Sequence, residues 1–325
     1  MKNLCAIYAE NGPPSATIQI ESRERPQPQA GELLIRMELA PVNPSDLNMI
    51  EGTYGIKASL PAVAGNEGVG VVEALGPGVD AAWLQRRVRP ATGTGTWQQW
   101  VACPASDCLR FPASLSAEQA AMLYVNPATA WRMLHDFIPL QPGEWVIQNA
   151  ANSAVGRSVI QIAKAQGWKS INLVRRPEVI QELRDLGADA VLLDEPDSLP
   201  AIKELCGSHA PRLALNAVGG ESVQLLSKAV ATGAKIVTYG AMSKQGLRLG
   251  NGLLIFKDLS YHGYWVSRWY QQAERNQIDA MFESLAQLNL QIPVAAIHPL
   301  SEVREALAAA EQGRRNGKIL LRLNE

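Results

Sequence analysis

Residues 143–176 read GEWVIQNAANSAVGRSVIQIAKAQGWKSINLVRR. Trp145-Val146-Ile147 is a short apolar run after Pro142-Gly143, the pattern of a buried strand. Asn149 to Ser153 is small and polar, which suits a turn. Val155, Val159, Ile160 and Ile162 then recur at helical spacing, and Ser170 to Val174 returns to a strand pattern. Strand, tight turn, helix, strand is a βαβ unit, whose parallel strands are buried on both faces.

Helix N-terminal amides at such a turn favour a bound phosphate. The usual dinucleotide fingerprint is G-x-G-x-x-G. This turn keeps only the last glycine, Gly156, with Asn152, Ser153 and Ala154 where the others would stand. On the turn alone, a βαβ unit without ligand competes. The end of the second strand separates the readings. NAD-binding folds place an acid about 20 residues past the glycines to hold the ribose 2′-hydroxyl. Arg175 and Arg176 stand 19 and 20 residues after Gly156. A carboxylate repels a 2′-phosphate, whereas two guanidiniums pair with it. The expected cofactor is therefore NADPH rather than NADH. The competing reading of the arginines is a solvated charged loop.

Outward from this unit, strand candidates at 190–194, 213–218 and 234–239 join 144–149 and 170–175, with helices near 155–166, 177–186, 198–206 and 221–230. That alternation predicts a doubly wound parallel sheet. Gly219-Gly220 and Tyr239-Gly240 mark carboxyl ends of strands, where ligands bind in open α/β sheets.

The first 124 residues differ, being rich in Val, Gly and Pro. Ala16–Ile20, Glu32–Leu39, Val69–Leu75 and Trp100–Ala102 read as strands of a strongly bent, antiparallel, partly barrelled domain. Ser116 offers an N-cap to a helix, and Asn126 opens another. After residue 265 come a helix at Asp279–Leu288, a strand at Ala295–Pro299, a helix at Glu302–Gln312 and a strand at Lys318–Leu323. This tail is too short for a domain of its own and is expected to return to the first.

The 325 residues fit two domains. Thirty basic and 31 acidic side chains leave a net charge of −1, so nothing global points to nucleic acid or an anionic membrane. No apolar run reaches the roughly 18 residues of a membrane span, and no leader pattern opens the chain; the expected compartment is the cytosol. The four cysteines, Cys5, Cys103, Cys108 and Cys206, contain no C-x-x-C pair. Cys103 and Cys108, five apart around Pro104, read as two free thiols. The four histidines are scattered, and no bound metal is expected.

Four segments carry a family resemblance: PVNPSDLNMIEGTYGIKASLPAVAGNEGVG (41–70), VNPATAWRML (125–134), QNAANSAVG (148–156) and LLIFKDLSYHGYW (253–265). Together they resemble the zinc-free medium-chain dehydrogenase/reductase superfamily. Within it they look most like mitochondrial-type trans-2-enoyl thioester reductases, with quinone oxidoreductases as the neighbouring branch. Zinc-dependent members place Cys near position 43 and His in G-H-E; here Asn43 and Gly65-Asn66-Glu67 stand instead, and the structural zinc lobe is missing.

The resemblance implies an α/β fold. It comprises a Rossmann NADPH-binding domain over 125–264 and a GroES-like catalytic domain over 1–124 and 265–325. Tyr54 matches the family's tyrosine after N-P-S-D, the proton donor or enolate stabiliser when hydride reaches Cβ of the enoyl thioester. Half-buried loop packing is its competing role. Asn126 matches a cofactor contact; Asn152, Ser153, Ala154 and Val155 match the pyrophosphate turn, where Ala154 departs from Gly. Tyr239, Gly240, Ala241 and Met242 match the strand end by the nicotinamide, Tyr264, Trp265 and Val266 a wall of the cleft, and Lys318 a C-terminal cofactor contact. Core packing competes for Trp265 and a solvated surface position for Lys318. Trp97, Trp265, Trp269 and Tyr270 are available to line either a thioester groove or a quinone slot. A homodimer, paired edge to edge around Leu253–His262, is expected, and a non-catalytic NADPH-binding protein is the reading from another class.

Overall fold

The strand Trp145–Gln148 lies centrally in a sheet of six strands, all parallel, in a computed structural model that describes residues 2–312 and 316–324. Lys169–Val174 and then Ala190–Leu193 lie on one side; Leu213–Asn216, Lys235–Thr238 and Ser260–Gly263 lie on the other. The order reverses beside the first strand, which is the doubly wound arrangement and places a switch point at the turn after Gln148. The five expected strands all form, four of them one or two residues shorter than expected and Lys169–Val174 at full length but shifted by one residue. The sixth, Ser260–Gly263, reads SYHG and carried no strand signal.

The helix Ala154–Ala165 covers this sheet with Val155, Val159, Ile160 and Ile162 buried. Burial of each such side chain contributes about 1.5–3 kcal/mol. Polar Gln148, Asn172 and Ser170 are also fully interior, so they bond to one another. Gln148 Nε2 donates to Asn172 Oδ1 at 2.7 Å and to Gly156 O at 2.9 Å, tying the first strand to the first turn of the helix.

The chain forms two compact units, Met1–Tyr124 with Ile292–Glu325, and Val125–Gln291. The return to the first unit therefore comes at Ile292, not at residue 265. The helices Val266–Gln272 and Arg275–Gln287 meet Asn126–Asp136 within the second unit, where Arg132 lies 4.5 Å over the Trp269 ring.

In the first unit, Glu32–Pro41 is the hub. It pairs antiparallel with Val69–Leu75, Trp100–Pro104 and the C-terminal strand Lys318–Arg322. This last pairing is what recruits the tail. A second sheet joins Lys2–Tyr8 to Gln19–Glu24 and Ala62–Val63. The expected strand Ala16–Ile20 is divided. Pro14–Thr17 is a helical turn opened by proline, and strand begins only at Gln19. Trp97 is 0% exposed and belongs to this core, which removes it from the candidates for a substrate slot.

Candidate functional site

Each unit carries candidate residues of its own. In the first, the sequence Asn43-Pro44-Ser45-Asp46 starts the helix Pro44–Glu51: Asn43 is the N-cap, proline occupies the first turn, and Asp46 closes a capping box. Asp46 is 1% exposed. It accepts from Asn43 N at 2.8 Å and, through its other oxygen, from Asn66 N at 3.0 Å and Asn66 Nδ2 at 2.8 Å. Burial pushes its carboxyl upward while those bonds and Lys318 oppose the shift. The helix start is thus locked to the Gly65-Asn66-Glu67 segment.

The helix ends at Gly52, whose φ of +74° is the left-handed cap that favours glycine. Thr53 N and Tyr54 N both bond Asn48 O, at 2.9 and 3.1 Å, so the backbone of Tyr54 is anchored to the helix end. Its side chain is half-buried. Asn11 Nδ2 donates to Ile50 O at 3.2 Å and covers another terminal carbonyl.

Asn43 Nδ2 donates to Glu67 Oε2 at 2.8 Å, and Lys318 Nζ donates to Val42 O at 3.2 Å and to Asn43 Oδ1. Lys318 is 7% exposed, so the solvated alternative for it does not hold. Where zinc-dependent relatives supply soft or imidazole ligands, this chain has an amide and a carboxylate with an ammonium bonded to the amide. That donor set does not suit zinc. Among the described residues, no three His, Cys, Asp or Glu side chains are grouped as metal ligands.

In the second unit the turn after Gln148 is held by hydrogen bonds. Ala150 sits at φ +49°, uncommon for a residue with a Cβ. Ser153 caps the helix, its Oγ accepting from Gly156 N at 3.1 Å. A Cβ on Gly156 would lie 2.5 Å from Ala151 O, so the retained glycine is the one that lets helix and turn approach. Buried Arg157 donates to Asn152 O at 3.2 Å and pairs with Glu182 at 2.9 Å. Asn152, Ala154 and Val155 complete the turn, and their helix leaves its first amides at the switch point.

The other candidates of this unit lie at carboxyl ends of the same sheet. Arg175 and Arg176 follow the strand Lys169–Val174, exposed and half-buried respectively. Tyr239 follows Lys235–Thr238 and bonds Asn216 O through its N–H at 3.0 Å. Its hydroxyl is buried without a hydrogen-bond partner and pushed upward by burial, with the neighbouring Ser153 opposing that shift. Gly240 sits close to Ala217 O, while Ala241 and Met242 are exposed. Tyr264 N bonds Thr238 O at 2.8 Å; its hydroxyl is buried without a hydrogen-bond partner and pushed upward by burial. Trp265 caps the helix Val266–Gln272, half-buried, and Val266 is core. Asn126 opens its helix at 8% exposure.

Composition reading missed a polar chain along these strand ends. Asn149 Nδ2 donates to Asn216 Oδ1 and to Ser222 Oγ, each at 2.8 Å, and its Oδ1 accepts from Ala217 N at 2.7 Å. Ser222 Oγ donates to Asp194 Oδ2 at 2.5 Å, while Asp194 Oδ1 is buried without a hydrogen-bond partner. The signal was positional: each is a polar residue at the end of a buried parallel strand or the start of the next helix.

An orphaned Tyr239 hydroxyl beside the capped turn, a helix N-terminus at the switch point and two arginines at the second strand end fit a phosphorylated dinucleotide.

Two sequence-family models match the chain: alcohol dehydrogenase GroES-like domain over residues 29–113, and zinc-binding dehydrogenase over 154–286. The mitochondrial enoyl-acyl-carrier-protein reductase of Mus musculus is 42% identical over 94% of this chain and 84% of its own length. The chain belongs to the enoyl-acyl-carrier-protein reductase family. It is an NADP(H)-linked oxidoreductase of the medium-chain dehydrogenase/reductase superfamily. An Etr1p structure solved with NADP and crotonyl-CoA superposes with a TM-score of 0.90 at 28% identity, covering 99% of this chain and 100% of that one. A quinone reductase described as NADPH-dependent, from Bacillus thuringiensis, superposes at 0.92 with 25% identity and 99% coverage of both chains. The cytosolic expectation is corrected by these comparisons, because the mouse relative at 42% identity is mitochondrial. Among the described residues, no helix is long and apolar enough to cross a membrane.

Proposed function

We propose that this reductase uses NADPH to reduce the C=C bond of trans-2-enoyl thioesters, with Tyr54 as the proton donor. The observation that carries this reading is Tyr54 itself. It is anchored to the end of a helix that Asp46 locks at its start, in the segment that most resembles thioester reductases. NADPH, when bound, supplies the hydride that adds to Cβ. Negative charge then develops on the thioester oxygen and Cα, and a phenol O–H stabilises that charge or delivers its proton. Fixing the Tyr54 backbone limits the reorganisation this step requires.

For the cofactor, Asn152 to Val155 would hold the pyrophosphate through helix amides and the Ser153 cap. Arg175 and Arg176 would read the 2′-phosphate, Tyr239 to Met242 the nicotinamide end, and Asn126 and Lys318 further polar groups of the dinucleotide. Tyr264, Trp265 and Val266 would form an apolar wall, and Asn43, held between Glu67 and Lys318, would be a polar wall of the substrate cleft. A homodimer through the Ser260–Gly263 edge is supported by Ile255 and Phe256, 69% and 83% exposed on the preceding helix Asn251–Lys257.

The test is NADPH oxidation followed by absorbance, with crotonyl-CoA and a benzoquinone side by side. A kcat/KM for crotonyl-CoA far above that for the quinone is expected. The reverse preference would assign the chain to quinone reduction.

A further inference from the structure

We propose that Cys103 and Cys108 form a buried dithiol that a small hydroperoxide converts into an intramolecular disulfide. The proposal stands apart from the reductase chemistry and rests on the first unit alone.

The two sulfurs lie 3.4 Å apart. Both are set by backbone pairing rather than by loose side chains. Cys103 is inside the strand Trp100–Pro104, in register with Leu33. Cys108 follows the short turn Ala105–Asp107 and immediately precedes Leu109, which pairs with Arg89. The thiols are 2% and 0% exposed, whereas Pro104, Ser106 and Asp107 between them are exposed. A disulfide needs about 2.05 Å between sulfurs, so closure asks for a shift of little more than an ångström.

The pair is chemically unequal. The sulfur–sulfur contact can be donated from either side, while Cys103 Sγ also accepts from Ala91 N at 3.5 Å, and the Cys108 contact is the largest cause holding the Cys103 thiol below its ordinary range. Burial, Glu32 and Asp107 oppose that shift. The Cys108 thiol is pushed up by its contact with Cys103 and by burial, against the Ala91 N–H and the Arg89 cation. Thiolate character marks the attacking sulfur. Cys103, whose sulfur accepts the Ala91 N–H, is assigned as the nucleophile and Cys108 as the resolving thiol. The other two cysteines contrast with them: burial raises Cys5 to about 11 and also raises Cys206.

The chemistry balances with hydrogen peroxide as oxidant. The Cys103 thiolate attacks one peroxide oxygen, the O–O bond breaks, and the other oxygen leaves as water after protonation. The resulting sulfenic acid is attacked by Cys108, forming the S–S bond and expelling the sulfenic oxygen as a second water. Two thiols are oxidised and one peroxide is reduced. A small oxidant is required because the sulfurs are reached only by local opening of the short exposed turn.

The experiment treats the intact protein with hydrogen peroxide, denatures it, alkylates remaining thiols with iodoacetamide and maps the peptides by mass. The expected result is a Cys103–Cys108 cross-link lacking two hydrogens, with Cys5 and Cys206 alkylated and dithiothreitol restoring all four thiols. Cys108→Ser should accumulate oxygenated Cys103 instead. Four alkylated cysteines after treatment would overturn the proposal. So would irreversible oxygen adducts in place of the cross-link, or equal loss of label from Cys5 and Cys206. The wild-type measurement decides even if a variant fails to fold.

Discussion

At Asp194 burial and hydrogen bonding pull in opposite directions. Burial raises its carboxyl from the ordinary 3.8, and the Ser222 hydroxyl and the Arg175 cation only partly offset this. The folded chain therefore holds this proton to higher pH than the unfolded chain does. The associated stability is complete below about pH 3.8 and is lost as pH rises through the raised folded value. Asp194→Asn, which mimics the neutral acid, should remove that loss. Urea unfolding should show the variant gaining on the parent between pH 4 and pH 7, by a modest margin because the group is partly solvated. Parallel profiles would show that the carboxyl is not strained. Asp194 also marks what residue-level reading cannot reach. Arg175 and Arg176 are found by counting from a glycine. The Asn149–Asn216 bond joins residues 67 positions apart, and only strand order brings them together.

Among elements, the parallel strands were legible because strands buried on both faces are continuous apolar runs. The exceptions follow from the same physics. Ser260–Gly263 is an edge strand with little apolar signal, and Pro14–Thr17 turns helical where alternation suggested strand. The turn after Gln148 lacks two fingerprint glycines, yet its N-cap, close Gly156 contact and following strand end keep the geometry of a phosphate turn. Specificity on this account sits at that strand end. Replacing Arg175 and Arg176 together with alanine should raise the KM for NADPH at least about tenfold while changing that for NADH little, since charge-assisted bonds are worth about 1.5–3 kcal/mol. Equal changes for both cofactors would remove the arginines from 2′-phosphate recognition.

For the whole molecule, the discontinuous first unit was legible because the tail is too short to bury a core of its own. Its return point was not. Nothing in the sequence of Val266–Gln287 shows that these helices belong with Asn126–Asp136; tertiary contacts decide it. The apolar helix Asn251–Lys257 beside an edge strand predicts self-association. Sedimentation at micromolar concentration should give a dimer, and Ile255→Ser with Phe256→Ser should shift it toward monomer. A parent that sediments only as monomer contradicts the proposed interface.

The central claim joins the helix Pro44–Glu51 to the chemistry through one hydroxyl. Tyr54→Phe removes it and leaves the backbone bonds to Asn48 in place. Turnover of crotonyl-CoA should fall by roughly 10²-fold or more, with the dissociation constant for NADPH unchanged. Turnover near that of the parent would contradict the account and take Tyr54 out of the mechanism.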